Sequence, residues 1–218
     1  MNNTIIEVTN NIINRSKKNR DIYLQRVKQV KKEFVNRKFL GCSNIAHAAA
    51  SMNEDEKESL LGMESYNMGI ITAYNDMLSA HQPYALYPDI LKKELLKHNS
   101  TAQVSSGVPA MCDGITQGQV GMELSLFSRD TIAMASAVGL SHDVYDGAFY
   151  LGVCDKIVPG LFIAAASFGH LPAIFVPSGP MPSGISNKEK ARVREEYALG
   201  KVDEFSLLKV ESASYHSC

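Results

Sequence analysis

From Asn67 onward the chain alternates two kinds of segment, and this alternation limits the fold more than any other feature. Four short apolar runs read as buried strands: MGIITAY (68–74), AQVSSG (102–107), AFYLGV (148–153) and AIFVPS (173–178). Between and after them lie segments of helical length: YPDILKKELLKH (87–98), a stretch from about Gln119 to Leu140, LFIAAASFG (161–169) and NKEKARVREEYALG (187–200). Pro88 and Asn187 are suitable helix starts, and Gly169 and Gly200 suitable stops. Alternating strand and helix predicts an α/β fold, with a mainly parallel sheet covered by helices on both faces.

Ahead of this lies a different pattern. Ile5, Val8 and Ile12 recur at helical spacing, and Tyr23, Val27, Val30 and Phe34 do so again. The expectation is an N-terminal pair of amphipathic helices, so residues 1–66 form a helical arm and 67–218 the α/β domain. Residues 1–38 hold ten Lys/Arg against three Asp/Glu, and the remainder twelve against twenty. The basic residues read as a solvated face, since no aromatic or Gly-rich pattern supports a nucleic-acid arm. The apolar stripes must pack on the body of the protein or on a partner subunit.

The formal net charge of −1 gives no case for nucleic acid or for an anionic membrane. No apolar run approaches the roughly 20 residues of a membrane span. MNNTIIEVTNN lacks a basic segment before an apolar one, so no signal peptide is expected and the chain is assigned to the cytoplasm. Four widely spaced cysteines, Cys42, Cys112, Cys154 and Cys218, form no CxxC pair and read as reduced thiols. Cys42, in GCSNIAHAAA, reads as structural.

In a parallel α/β sheet, ligands bind beyond the carboxyl ends of the strands. The loops that follow the four strands are rich in chemistry. The first carries Asn75, Asp76, Ser79 and His81; the second Cys112-Asp113-Gly114; the third Cys154-Asp155-Lys156; the fourth Ser178-Gly179 and Ser183-Gly184. They are expected to converge on one edge. Cys154, Asp155 and Lys156 stand between two apolar segments, where an unpaired charge is costly. Pairing with a metal or with one another resolves that cost. Asp113 is a candidate ligand, although Asp-Gly is also ordinary turn chemistry. His81 is equally compatible with a satisfied core histidine. The Ser-Gly pairs at 178 and 183 resemble loops that offer backbone N–H groups to an anion. Carboxylates suit Mg²⁺, and a thiolate suits an iron–sulfur cluster or zinc, but the paired spacing of a zinc site is missing. No GxGxxG or GxxxxGK[ST] supports a nucleotide site.

Cys154-Asp155-Lys156-Ile157-Val158-Pro159-Gly160-Leu161-Phe162-Ile163-Ala164 fits the pattern C-D-K-x-x-P-G-x-x-x-A. In this the chain resembles the dihydroxy-acid dehydratase / phosphogluconate dehydratase family. TAYNDMLSAHQPY, GVPAMCDGITQGQVGMELSLFSRD, GLSHDVYDGA and FGHLPAIFVPSGPMPSG extend the resemblance and look like its phosphogluconate branch. In the dihydroxy-acid branch a cysteine takes the place of His81. The resemblance implies a hydro-lyase that dehydrates 6-phospho-D-gluconate to 2-dehydro-3-deoxy-6-phospho-D-gluconate in the Entner–Doudoroff pathway. It implies an iron–sulfur cluster (4Fe–4S in preference to 2Fe–2S) as Lewis acid, Mg²⁺, and a homodimer in the full-length family. On the same resemblance Cys154 is a cluster ligand, Asp113 and Asp155 are Mg²⁺ ligands, and Lys156 is a lysine carbamylated in some relatives. Asp155 and Lys156 are then the catalytic pair, with His81, Ser178 and Ser183 toward the substrate. Family members are longer. They carry a further cluster cysteine just after the equivalent of SASYHS, to which Cys218 does not align, and a later serine thought to act as base. The alternative reading is therefore an inactive remnant or fragment that lacks both.

Overall fold

The computed structural model describes residues 2–31, 36–178 and 184–214. Ser183, Cys218 and Phe34, all named above, lie outside the described residues. At its centre is a sheet of four parallel strands, β1 (Asn67–Thr72), β2 (Thr101–Gly107), β3 (Gly147–Leu151) and β4 (Ala173–Val176), in the order β2-β1-β3-β4. These are the four expected apolar runs. β1 and β3 are the central pair, registered Ile70↔Phe149, Ile71↔Tyr150 and Thr72↔Leu151.

The two-residue period of the strands splits the core into two layers. Ile71, Ala73, Ala148 and Tyr150 face α6 (Ser128–Leu140) and α7 (Ile157–Ser167), meeting Ile132, Leu140, Ile157 and Leu161. Ile70, Ala102, Phe149 and Leu151 face the other way, toward Tyr84 and α4 (Tyr87–Leu96), with Leu91 and Leu95 packed on them. The sheet is thus covered on both faces, as the alternation predicts.

Glycines allow two close approaches of α7. A β-carbon on Gly160 would stand 2.9 Å from Arg129 O and from Ile132 Cβ, so only glycine lets α7 lie this close to α6. One on Gly152 would stand 2.6 Å from Leu161 Cδ1 and 2.7 Å from Ile157 Cγ2. These two positions seat α7 directly beneath the exit of β3.

Four helices depart from expectation. The N-terminal pair is one continuous helix, α1 (Asn3–Val30), capped by Asn2, whose side chain accepts from the Thr4 N–H. No Gly or Pro separates the two periodic stretches. Ile12 and Tyr23 are 11 residues apart, close to three turns, so both stripes share a face. Two short helices follow, α2 (Cys42–Ala49) and α3 (Glu54–Leu61), the latter started by an Asn53/Glu56 capping box. The expected helix from Gln119 to Leu140 is broken into a 3-10 turn (Val120–Leu124) and α6. The reason is hydroxyl competition with the backbone: Ser128 Oγ donates to Ser125 O, and Ser125 Oγ turns to another element. α7 begins at Ile157, four residues ahead of expectation. A short α5 (Asp113–Thr116) and a hairpin of α8 (Asn187–Ala198) and α9 (Glu204–Ser214) complete the chain, and α9 was not expected. No described helix is long and apolar enough to cross a membrane.

The amino end of the sheet is tied by a buried ion pair. Arg37, 0% exposed, donates through Nη1 to Asp146 Oδ2 at 2.8 Å and through Nη2 to Ser65 O at 2.6 Å. Asp146 Oδ2 also accepts the Asn67 N–H at 2.8 Å.

Candidate functional site

Strand order fixes where a crevice opens. β1 leads outward to β2 on one side, and β3 leads outward to β4 on the other. The chain therefore diverges at the carboxyl ends of β1 and β3, the switch point at which doubly wound sheets bind ligands. The loops that leave those two strands carry His81 and Cys154-Asp155-Lys156.

Lys156 is the hub. Its side chain is 10% exposed, and its Nζ donates to Asp113 Oδ2 and, at 3.0 Å, to Asp155 Oδ2. Lys156 caps the N-terminus of α7, where the helix dipole disfavours a cation. Two carboxylates offset that penalty and the cost of burial. Asp113 opens α5 and is held from behind, since Ser125 Oγ donates to its Oδ1 at 2.6 Å. The broken helix at 125 thus serves to fix one carboxylate of the site.

Cys154 has a φ of +77°, the left-handed region that suits glycine. Its carbonyl accepts the Val158 N–H at 3.2 Å, starting the ladder of α7. The loop is therefore bent sharply enough to set the thiol, the carboxylate and the amine on consecutive residues between β3 and α7.

His81 is fully buried. Its Nε2 lies 3.2 Å from Val153 O and 3.3 Å from Val153 N, so it bonds the residue next to Cys154 in either tautomer. Nδ1 has no hydrogen-bond partner among the described residues. Burial pushes the imidazole below its ordinary pKa, against the opposing hydrogen bond to Val153. Ser178 Oγ donates to Ala80 O at 2.9 Å, which ties the loop after β4 to the residue beside His81. That hydroxyl proton is committed to the fold.

Four expected positions are thus joined: His81 to the Cys154 loop, Asp155 and Asp113 through Lys156, and Ser178 through Ala80. Sequence reasoning missed Ser125, Tyr84 and Tyr87. Tyr84 is fully buried and donates to Val176 O at 2.8 Å. Burial is the main cause that pushes its phenol up to about 12, and the nearby Cys154 adds to the shift. Tyr87 donates to Ser178 O at 3.2 Å. The only signal for Tyr84 and Ser125 was their place inside TAYNDMLSAHQPY and GVPAMCDGITQGQVGMELSLFSRD, and Tyr87 stood at the start of the helical segment YPDILKKELLKH.

Among the described residues, no three His, Cys, Asp or Glu side chains close into a metal cage. The donor chemistry nevertheless fits the implied groups. Two carboxylates already converge on one cation, which is the oxygen set a hard divalent ion takes. The adjacent thiol is the donor an iron–sulfur cluster takes.

A family model described as the N-terminal region of dihydroxy-acid/6-phosphogluconate dehydratases matches residues 66–218. The chain belongs to this family. It is 60% identical over 217 residues to the phosphogluconate dehydratase of Escherichia coli (strain K12), covering 100% of this chain and 36% of that protein. Over 210 residues it is 60% identical to the phosphogluconate dehydratase of Helicobacter pylori (strain ATCC 700392 / 26695), covering 96% of the chain and 34% of that protein. A dihydroxy-acid dehydratase of Lachnospira eligens is 32% identical over 163 residues, 72% of this chain. The chain spans about a third of the length of the curated relatives it matches. Within the family domain, the Asp113–Lys156–Asp155 cluster and the strained Cys154 stand together at the switch point.

Proposed function

We propose that this chain carries an N-terminal part of the metal site of a phosphogluconate dehydratase, a cytoplasmic hydro-lyase of the Entner–Doudoroff pathway acting on 6-phospho-D-gluconate. The observation that carries this reading is the Asp113–Lys156–Asp155 cluster, placed beside Cys154 where β1 and β3 diverge. Cys154 would hold a 4Fe–4S cluster, and Asp113 and Asp155 would hold Mg²⁺. Held by these residues, an iron–sulfur cluster would supply Lewis-acid chemistry for loss of a hydroxyl, and Mg²⁺ would supply positive charge for a carboxylate.

The chain's own residues prepare these positions. Ser125 orients Asp113, so that its second oxygen faces Lys156. Lys156 must lose its positive charge before a divalent ion can share its two carboxylates. Addition of CO₂ to the neutral amine, with release of one proton, gives a carbamate and turns an opposing cation into a third oxygen donor. His81 holds Val153, and so the bend that presents Cys154. His81 and Ser178 would lie toward the substrate, Ser178 through its backbone because its hydroxyl serves Ala80.

The test is anaerobic reconstitution with iron, sulfide, Mg²⁺ and bicarbonate, followed by incubation with 6-phosphogluconate. The reading expects iron–sulfur absorbance and a 2-keto acid trapped as its hydrazone, both lost in Cys154→Ala. Folded, reconstituted protein that yields no keto acid would favour the inactive fragment.

A further inference from the structure

A cleft of about 560 Å³ opens between α2, the edge strand β2 and the turn that leads from α6 into β3. That turn enters β3 at its amino end, whereas the Cys154 loop leaves it at the carboxyl end. Asn44, His47, Gln103, Ser105, His142 and Tyr145 are among the residues that line the cleft. Neither imidazole belongs to the cluster at the switch point.

The two imidazoles are set in the same way. His47 Nδ1 lies 2.7 Å from Ser43 O, one turn back on α2, and His142 Nδ1 lies 2.8 Å from Gly139 O at the end of α6. A carbonyl only accepts, so each Nδ1 carries the proton, and in the neutral ring each Nε2 is a bare lone pair. No described residue hydrogen-bonds either Nε2. A carbonyl behind one ring nitrogen fixes the ring and raises the basicity of the other, which is the arrangement behind metal-ligating histidines. One such bond is ordinary for a histidine on a helix. Two of them, on opposite walls of one cleft, select a shared ligand.

The walls are held to each other. Gln103 Nε2 donates to Ala48 O at 2.8 Å, beside His47. Gln103 Oε1 accepts from Asn67 Nδ2 at 3.0 Å, and the same Nδ2 donates to Val144 O at 3.2 Å, two residues after His142. Asn67 is fully buried, so this strap fixes the backbone at one imidazole against the backbone at the other. Both rings are exposed and open to an ion from solvent. Among the described residues no third His, Cys, Asp or Glu joins them, so water fills the remaining positions, for which the cleft has room. Imidazole donors without a carboxylate suit Zn²⁺ or Ni²⁺ and not Mg²⁺ or Ca²⁺.

We propose that His47 and His142 bind one divalent ion of the Zn²⁺ or Ni²⁺ type through their Nε2 atoms, clipping α2 to the α6–β3 turn. The site is separate from the Asp113–Lys156–Asp155 cluster and does not rest on how that cluster is read.

The probe is Zn²⁺ itself. The full chain is treated with N-ethylmaleimide until no free thiol reacts, saturated with Mg²⁺, and titrated with Zn²⁺ by calorimetry. One Zn²⁺ per chain is expected. His47→Ala and His142→Ala should each weaken binding by about tenfold or more. The double variant should lose little beyond either single one, because a shared ion has already lost its two-point hold. Zn²⁺ should raise the Tm of the unmodified protein and not that of the variants, whose circular dichroism should be unchanged. Two Zn²⁺ per chain, falling to one in each single variant, would mean two separate surface imidazoles and overturn the proposal. So would unaltered binding in either single variant, or no Zn²⁺ uptake by the thiol-blocked protein.

Discussion

Cys154 occupies a backbone conformation that a side chain makes costly, and this predicts an inverted order of stability between two substitutions. At an ordinary loop position alanine is more stabilising than glycine by about 0.4–1 kcal/mol, because glycine has more freedom to lose on folding. At φ +77° a β-carbon costs about 1–2 kcal/mol, and Cys154→Ala keeps that cost while Cys154→Gly removes it. Both variants lose the same half-buried thiol, so that loss cancels in the comparison. Relief of about 1.5 kcal/mol, less about 0.7 for chain entropy, leaves glycine ahead by roughly 1 kcal/mol. In a chain of this size that is about 2–4 °C in Tm. The assay is urea denaturation of metal-free protein under reducing conditions, followed by circular dichroism. If Cys154→Ala proves as stable as Cys154→Gly or more so, the backbone is not strained there. The reading of Cys154 as a strained position then fails.

Other substitutions probe the tie, the hub and the buried ring. Asp146→Ala leaves the fully buried Arg37 guanidinium without its carboxylate, with Ser65 still accepting from Nη2, and the Asn67 N–H without its acceptor, and should cost about 3–5 kcal/mol in a urea titration. A loss under about 1 kcal/mol would mean that water reaches the pair. Lys156→Met removes the cation between Asp113 and Asp155, so MgCl₂ should raise its Tm more than it raises that of the unmodified protein without bicarbonate. Equal shifts would deny that these carboxylates form one cation site. His81 is held below its ordinary pKa by burial, so its neutral form favours the fold. The unfolded chain takes up the proton first, near pH 6.5; stability is therefore full above that pH and falls as the pH drops toward the folded pKa. His81→Asn should flatten that limb of a stability-against-pH curve, and an unchanged slope would assign it to other groups.

How much of this was legible in the sequence depends on the range of each interaction. β1 and β3 were readable because a strand buried on both faces is a continuous apolar run, and they leave almost nothing exposed, whereas the edge strands β2 and β4 were readable as short apolar runs although they stay partly exposed. α1 was read as two helices because its stripe pauses between Ile12 and Tyr23, yet nothing in that interval stops a helix. The break before α6 was not readable, because it depends on where two serine hydroxyls go, and one of them goes to Asp113 on another element. α9 offers little amphipathic pattern; it is held on α8 by Arg194–Glu211 and Lys190–Glu211 pairs that no local period announces.

The same reasoning explains the site. That loops after parallel strands gather at one edge is a property of the fold class, so Asp113, Cys154, Asp155 and Lys156 could be named together. Which loops are neighbours depends on strand order, and that order is not local information. Once β1 lies beside β3, with β2 outside it, the loop carrying His81 must run against the loop carrying Cys154. The His81–Val153 contact follows from this across 72 residues of chain. Tyr84 and Tyr87 reach the end of β4 across 92 and 91 residues for the same reason, since β4 is the next strand beyond β3. The residues with donor chemistry were visible as single loops, whereas those that hold the loops against one another required the topology.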